Sequence, residues 1–339
     1  MIDFFGRGAQ RGILAACTAL GVAGLNAPAA AKAKFTTFDP PNSTVTWALS
    51  INKSDAVAGF FEDSRTSHGF LRAPDGTIAV IDPPGATSTN DGAINDKGAV
   101  AGDYQDRKHV NHGYLRSPSG KFTTFDPPGS GSTFAADIND AGEITGLYYD
   151  SHVHGHGYLR ARDGTFTEFD PPDAIDTFAL KLNDKGAVTG YYYDLDLNAH
   201  GFLRDADGTF VEFNAPDGPI VTIPSTINNA GVIIGSYDDG RLVRHCFLRT
   251  PDGTITEFDP PGAASSICDD INDRGAVVGG DTDSQGVSRG FVRSAAGVFR
   301  SFAPKEAVST SPVRNNNTGA IAGGYTSEDG EFHGFIRSK

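Results

Sequence analysis

Short runs of alternating apolar and polar residues, separated by glycine, proline and aspartate, recur along the chain from about residue 34 onward. Alternation with a period of two is typical of β-strands that bury one face. The clearest example has four predicted strands, at residues 134–139, 143–149, 156–160 and 165–169. Asp163-Gly164 favours a tight hairpin, and Pro171-Pro172 ends the last strand because proline donates no hydrogen bond to a ladder. Four strands joined in this way are typical of one blade of a β-propeller.

This unit repeats seven times, at spacings of 43 to 45 residues. Each copy carries an asparagine, usually within Ile-Asn-x-x-Gly, at Asn52, Asn95, Asn139, Asn183, Asn228, Asn272 and Asn316. Seven residues later comes a glycine, at Gly59, Gly102, Gly146, Gly190, Gly235, Gly279 and Gly323. An arginine recurs later still, at Arg72, Arg116, Arg160, Arg204, Arg249, Arg293 and Arg337. The sequence therefore predicts an all-β fold, a seven-bladed β-propeller with four antiparallel strands per blade.

The two ends of the repeat array indicate a closed ring. The strand that ends in Phe-Asp-Pro-Pro first appears at residues 35–41, before the first Ile-Asn unit, whereas the last unit stops at Lys339 without it. A linear stack has no reason to move one strand to the far end of the chain. In a ring, the N-terminal strand completes the last blade and removes its exposed edge.

The repeated His-Gly-Phe-Leu-Arg, preceded by Ile-Asn-x-x-Gly-x-x-x-Gly-x-Tyr, resembles the bacterial extracellular HAF repeat family. Matching segments are residues 68–72, 200–204 and 333–337, and the resemblance covers residues 35–339. It implies an exported repeat protein and brings no established activity or ligand. This chain departs from the family pattern by a Gly in place of the middle Ala. In single repeats, Asp55 replaces a turn Gly, Cys246 replaces a Gly and Arg289 replaces a His.

Residues 1–33 are predicted to be an export signal. Arg7 and Arg11 precede an apolar run, and residues 31–33 offer the small-x-small cleavage pattern. A competing interpretation makes Cys17 a lipidated N-terminus, since residues 14–17 match a lipoprotein box. The apolar run is too short to span a membrane. We expect a single domain at residues 34–339, exported to the periplasm or the extracellular space, without a membrane span and monomeric.

Charge and cysteine content narrow the possible partners. Removal of the predicted signal takes the net charge from −14 to about −16, which opposes binding to nucleic acid or anionic lipid. Cys246 and Cys268 occupy different positions in neighbouring repeats. Their spacing alone therefore does not show whether they form a disulfide.

Residues that recur in every blade cannot mark one active site. The repeated Asn, Arg and His are therefore interpreted as structural, forming turn hydrogen bonds and polar pairs within a blade. The candidate partner of the histidine is the Asp before Pro-Pro. The histidines are His68, His112, His156, His200, His245 and His333.

The strand order sorts the connections onto two faces. The Asn-Asp-x-Gly and Asp-Gly turns are uniform, while the loops after Gly-x-Tyr and after Asp-Pro-Pro vary between blades and lie on the opposite face. Function on rigid scaffolds usually resides in variable loops. The candidate binding residues there are Tyr104, Asp106, Lys108 and His109 of blade two, Tyr148, Tyr149, Asp150, His152 and His154 of blade three, and Tyr192, Tyr193, Asp194 and Asp196 of blade four. Their rings and carboxylates suit a sugar; the alternative is core tyrosines followed by solvated loop charges.

Two other groups of residues carry metal-ligand types or charges. Asp150-x-His152-x-His154 and Asp194-x-Asp196-x-Asn198 offer metal-ligand types, but neither matches a standard signature, and no metal or cofactor is predicted. The position before each Ile-Asn includes Asp137, Lys181, Asp270 and Arg314. These charges line the axial channel or pair across blades.

The sequence contains no Gly-x-Ser-x-Gly elbow, His-Glu-x-x-His helix or phosphate-binding glycine loop. The prediction is a non-catalytic module that binds carbohydrate or protein through the variable-loop face. The alternatives are a propeller-type polysaccharide lyase or glycoside hydrolase, and a structural envelope protein.

Overall fold

The computed structural model describes residues 33–216 and 221–338. The predicted export signal, with Cys17 and its alternative role, lies outside the described residues apart from Ala33, and both interpretations stay predictions. The described residues form strands and turns without any helix. They accordingly include no helix long and apolar enough to cross a membrane.

The strands form seven groups of four, here called units 1 to 7, within the described residues. Unit 1 comprises β2 (Val45–Ile51), β3 (Val57–Glu62), β4 (Ser67–Arg72) and β5 (Ile78–Val80). Unit 2 comprises β6 (Ser88–Ile94), β7 (Val100–Gln105), β8 (Asn111–Arg116) and β9 (Phe122–Phe125). Unit 3 comprises β10 (Ser132–Ile138), β11 (Ile144–Tyr149), β12 (Gly155–Arg160) and β13 (Phe166–Phe169). Unit 4 comprises β14 (Asp176–Leu182), β15 (Val188–Tyr193), β16 (Ala199–Arg204) and β17 (Phe210–Phe213).

The remaining units follow the same pattern. Unit 5 comprises β18 (Val221–Ile227), β19 (Ile233–Asp238), β20 (Arg244–Arg249) and β21 (Ile255–Phe258). Unit 6 comprises β22 (Ala263–Ile271), β23 (Val277–Asp283), β24 (Ser288–Arg293) and β25 (Phe299–Phe302). Unit 7 takes β26 (Ala307–Asn315), β27 (Ile321–Ser327) and β28 (Phe332–Ser338) from the end of the chain, and β1 (Lys34–Phe38) from its beginning.

Strand β1 pairs antiparallel with β28, from Lys34 opposite Ser338 to Phe38 opposite Gly334. The pairing predicted from the displaced N-terminal repeat strand is therefore confirmed. It covers what would otherwise be the open edge of β28. The sheets themselves stay separate, apart from single parallel residue pairs that join unit 4 to unit 5 and unit 7 to unit 1.

The recurrent asparagines connect each unit to the next. The Oδ1 atom of Asn183 accepts hydrogen bonds from the amides of Lys185 and Ala187 and so holds its own turn. Its Nδ2 donates to the carbonyl of Asn228 in the following unit, at 3.1 Å. The same side chain-to-carbonyl bond occurs at all seven junctions, and the last one runs from Asn316 back to Asn52 at 2.8 Å. These bonds form a closed cycle.

The hydrophobic core lies between units. Each of seven buried clusters combines side chains from two neighbouring units, including one that joins Ile51 and Phe70 of unit 1 to Ala322 and Ile336 of unit 7. Outside unit 2, the recurrent glycine is needed for close packing inside its unit, since a Cβ at Gly146, for example, would lie 2.0 Å from the Phe134 carbonyl oxygen. The recurrent arginine of every unit except unit 2 covers a phenylalanine of the preceding unit, as Arg204 does over Phe169 at 4.9 Å.

A disulfide joins Cys246 on β20 to Cys268 on β22, with their Cα atoms 5.5 Å apart. Both cysteines are fully buried, so the bridge links units 5 and 6 inside the core. The sequence left this pairing open because the two positions meet only when neighbouring units stack.

Candidate functional site

The recurrent histidine is bound by the aspartate before Pro-Pro, as predicted. His156 Nδ1 lies 2.7 Å from Asp170 Oδ2, and equivalent pairs at 2.7 to 2.8 Å recur in four other units. Unit 4 departs from this pattern, since Asn214 replaces the aspartate and lies 3.0 Å from His200 Nδ1. The repeated pairs are structural, while in unit 4 an amide takes the place of the carboxylate beside His200 Nδ1.

The tyrosines of the predicted loops divide into two groups. Tyr104, Tyr148 and Tyr192 are buried, and the hydroxyl groups of the latter two donate to Glu168 and Glu212. Burial, followed by the hydrogen bond to Glu168, raises the pKa of Tyr148. This placement favours the alternative interpretation of these three residues as core side chains.

The first aspartate of each predicted loop stabilises the loop itself. Asp150 Oδ1 accepts hydrogen bonds from the amides of His152 and His154, and Asp106 and Asp194 do the same in their own loops. Lys108, His109, His152, His154 and Asp196 point outward and are exposed. The described loops thus present these residues to solvent.

A groove of about 590 Å³ lies where units 3 and 4 meet on the variable-loop face. Its apolar lining is Pro171 and Pro172 from the loop after unit 3, with Leu195, Phe202 and Phe210 from unit 4. Its polar lining is Asp173, Tyr192, Asp194, Asp196, His200 and Glu212. Three of the predicted residues, Tyr192, Asp194 and Asp196, are therefore brought together in one concavity of ligand size.

The groove is acidic, and its lining includes neither lysine nor arginine. His200 Nε2 lies 2.9 Å from Asp194 Oδ2, and this hydrogen bond is the largest influence that lowers the pKa of Asp194. Burial opposes protonation of His200, but Asp194, Asn214 and Glu212 together raise its pKa. Asp173 and Asp196 are exposed at the rim, so their carboxylates are free to meet a ligand from solvent.

An aromatic cluster on units 3 and 4 was only partly visible in the sequence. Tyr193 packs edge-on against Phe178 and Tyr191, and Phe178 stacks on Tyr191 with ring centroids 4.7 Å apart. Tyr149 meets Phe134 edge-on at 6.0 Å. Burial raises the pKa of Tyr191 to about 12, with smaller contributions from Tyr193 and Tyr149. All five rings are half-buried, and aromatic residues do not recur at these positions in every unit.

The four predicted channel residues do come together. Arg314 Nη2 lies 2.6 Å from Asp137 Oδ1, and Arg314 Nη1 lies 3.4 Å from Asp270 Oδ1. Lys181 Nζ lies 3.7 Å from Asp137. Burial raises the pKa of Asp270, although Arg314 acts against this, whereas the two carboxylates together raise the pKa of Arg314 despite its burial. These charges therefore form ion pairs between units, which is the second of the two interpretations offered by the sequence.

Two cavities meet at these ion pairs. One, of about 170 Å³, is lined by residues of all seven units and is rimmed by Asn-Asp turns. The other, of about 350 Å³, is more apolar and includes Leu49, Leu180 and Val313. Arg314 lines both cavities and lies at the boundary between them.

No protein-family model matches the chain, and no curated protein matches it. Among solved structures, a streptogramin B lyase is similar with a TM-score of 0.59 and 14% identity, over 90% of this chain and 98% of the lyase chain. The BP39L lectin from Burkholderia pseudomallei gives a TM-score of 0.55 at 10% identity, over 90% of this chain and 96% of the lectin. YCF48 bound to D1 peptide gives 0.55 at 10% identity, over 89% and 94%. At such low identity these similarities show only the fold, an all-β architecture of the β-propeller type.

Proposed function

We propose that this chain is an exported, non-catalytic binding protein that holds carbohydrate in the groove between units 3 and 4. The observation that carries the proposal is the groove itself, a ligand-sized concavity whose lining combines apolar side chains with carboxylates. It lies on the variable-loop face, where unit 4 also departs from the repeat at Asn214. The resemblance of the sequence to the HAF repeat family fits export, and it brings no ligand.

The scaffold we propose is a closed, monomeric, seven-bladed propeller formed by residues 34–339 as one domain. The cycle of seven asparagine hydrogen bonds supports closure, as does the pairing of β1 with β28. A cavity lined by residues of all seven units supports their arrangement around one axis. Such a ring holds the loop positions rigidly, which favours pre-formed binding over ordering on contact.

Export to an oxidising compartment is supported by the Cys246–Cys268 disulfide. Disulfides persist in periplasmic and extracellular proteins and are rare in the cytosol. The bridge is independent of the predicted signal at residues 1–33, so the two observations support the same proposal separately.

Carbohydrate is favoured as ligand by the chemistry of the lining. Carboxylates such as those of Asp173 and Asp196 accept hydrogen bonds from sugar hydroxyl groups, while Leu195 and Phe210 offer apolar surface to the faces of a sugar ring. The similarity to a lectin and to a peptide-bound protein concerns the fold alone and does not choose between these two ligands. A peptide is therefore the competing ligand.

The test is a glycan array with the mature chain, followed by titration of the best glycan. Asp173→Ala and Asp196→Ala change exposed carboxylates and should each weaken binding about tenfold, the loss of one to two hydrogen bonds. Glu328→Ala, an exposed acid in the equivalent loop of unit 7, should leave binding unchanged. Silence on the array, or release of shortened glycan products, would count against a non-catalytic carbohydrate-binding protein.

A further inference from the structure

A β-bulge occurs at the same place in the first strand of every unit. In unit 3 the pairing of β10 with β11 shifts between Ala135 and Asp137, so Ala136 is the extra residue. A bulge re-aims a side chain from the direction that regular pleating would give it. The bulge residues of six units line the cavity of about 350 Å³ described above, and they are Leu49, Gly92, Ala136, Leu180, Ser225 and Val313.

Unit 6 places a carboxyl group at this position. Its bulge lies between Cys268 and Asp270, which makes Asp269 the extra residue. The asparagine hydrogen bonds connect unit 6 to unit 5 on one side and to unit 7 on the other. Asp269 therefore belongs between Ser225 and Val313 in the set of bulge residues. None of the six aligned residues carries a charge.

The Asp269 carboxyl group has no partner in the fold. Among residues 33–216 and 221–338, none donates a hydrogen bond to Asp269 or forms an ion pair with it. Its surface is partly accessible, although the surrounding protein desolvates it. This burial, followed by the negative charge of Asp270, raises the pKa of Asp269 well above its ordinary value. A lone carboxylate in such surroundings is costly, and a cation beside it offsets the cost.

The other charges around the cavity balance one another. Arg314 and Lys181 line it and are positive, and their negative partners are Asp137 and Asp270. These two positive and two negative charges leave no net charge. Ionised Asp269 therefore adds one unbalanced negative charge, and a ligand with a single positive charge complements it.

The rest of the lining suits an aliphatic chain. Leu49, Leu180 and Val313 contribute apolar side chains, and Ile223 and Pro224 add to them from unit 5. Burying methylene groups against such a surface is favourable. An aliphatic chain that ends in an ammonium group matches both the apolar lining and the unpaired carboxylate.

We propose that this cavity binds an aliphatic primary amine and that Asp269 accepts hydrogen bonds from its ammonium group. Charge-assisted hydrogen bonds of this kind are stronger than those between neutral groups. The amine binds as the ammonium ion, and a protonated Asp269 releases its proton to solvent on binding. The inference concerns a second site, separate from the groove between units 3 and 4 and from its carbohydrate.

The experiment titrates the tag-free mature chain with n-hexylamine and with hexanoate by isothermal titration calorimetry. We expect one saturable equivalent of the amine, and binding of hexanoate at least about tenfold weaker. Asp269→Asn should weaken binding of the amine at least about tenfold. Asp269→Leu, which brings in the residue type of units 1 and 4, is a second variant with the same expected loss. Glu257→Gln, which changes an exposed carboxylate on β21, should leave binding unchanged. Urea unfolding of each variant confirms that the fold is intact.

The pH dependence gives a readout specific to Asp269. Affinity for the amine should rise between pH 5 and 8, because Asp269 ionises as the pH rises through its raised pKa while an aliphatic amine, with a pKa of about 10, stays protonated. Absence of saturable binding, equal affinity in Asp269→Asn, or equally tight binding of hexanoate would each overturn the proposal. Binding that is lost in Asp173→Ala and kept in Asp269→Asn would place the amine in the groove and would overturn it as well.

Discussion

Arg314 and Asp137 are 177 residues apart in the sequence, yet their side chains form a hydrogen-bonded ion pair at 2.6 Å. Arg314 belongs to β26 of unit 7 and Asp137 to β10 of unit 3. Asp137 also accepts a hydrogen bond from the amide of Leu182, and Asp270 accepts one from the amide of Asn315. The Arg314–Asp137 pair thus joins units that are not neighbours, whereas the Arg314–Asp270 and Lys181–Asp137 pairs join neighbouring ones.

Replacing Arg314 by alanine should destabilise the fold strongly, because Asp137 and Asp270 lose their buried partner. Loss of one member of a buried ion pair costs about 3–5 kcal/mol. Chemical denaturation of the variant checks this, with Arg300→Ala, an exposed arginine on β25, as the control. Adding Asp137→Asn and Asp270→Asn to the Arg314 variant should restore part of the stability. A loss no larger than that of the control would contradict the assignment.

The disulfide should contribute measurably to stability. The cysteines are 22 residues apart, and a loop of that length corresponds to about 3 kcal/mol in the chain-entropy account. Unfolding with and without reductant should therefore differ for the wild-type chain. Cys246→Gly with Cys268→Ala brings back residue types found in other units and should fold, with a stability that no longer responds to reductant. Equal wild-type stability in both conditions would argue against the bridge.

The histidine–aspartate pairs predict a pH dependence with a definite sign. Burial opposes protonation of His245, but the hydrogen bond and charge of Asp259 and the charge of Asp239 raise its pKa. Its contribution to stability is therefore full below the unfolded value of about 6.5 and is lost as the pH rises through the folded pKa. Backbone hydrogen bonds lower the pKa of Asp239, whose contribution is lost at the acidic end as the pH falls through its folded pKa.

Urea unfolding of the wild-type chain and of His245→Asn between pH 5 and 8 measures this directly. The stability advantage of the wild-type chain should shrink as the pH rises across that range. A difference that stays constant with pH would mean that the pairing of His245 with Asp259 does not depend on its charge.

Much of the strand pattern could be predicted from the sequence because each repeat carries the same local signals. Gly164, for example, has φ of +95° in the turn that Asp163-Gly164 predicts. The displaced strand at residues 35–41 also predicted the pairing of β1 with β28. These features depend on local turn chemistry and on repetition, and both are visible in one sequence.

Other features depended on how units stack. Neither the Cys246–Cys268 bridge nor the partners of Arg314 follow from spacing, because they form between separate units. Nor does spacing show that Tyr148 is buried while Tyr149 is only half-buried, because neighbouring units cover both faces of each sheet. The change from Asp-Pro-Pro to Asn214-Ala-Pro, by contrast, was a visible sign that His200 has a different partner from the other recurrent histidines.

The proposed closure of the chain into a ring by its first strand underlies the assignment of the loop face, the groove and the central cavities. The most direct test is a pair of cysteines at Lys34 and Ser338, which are partners in the β1–β28 register. Non-reducing mass spectrometry of the purified monomer should find these two cysteines joined within one chain, alongside the Cys246–Cys268 bridge. Free thiols at both positions after mild oxidation, or links only between different chains, would contradict a ring closed in this way.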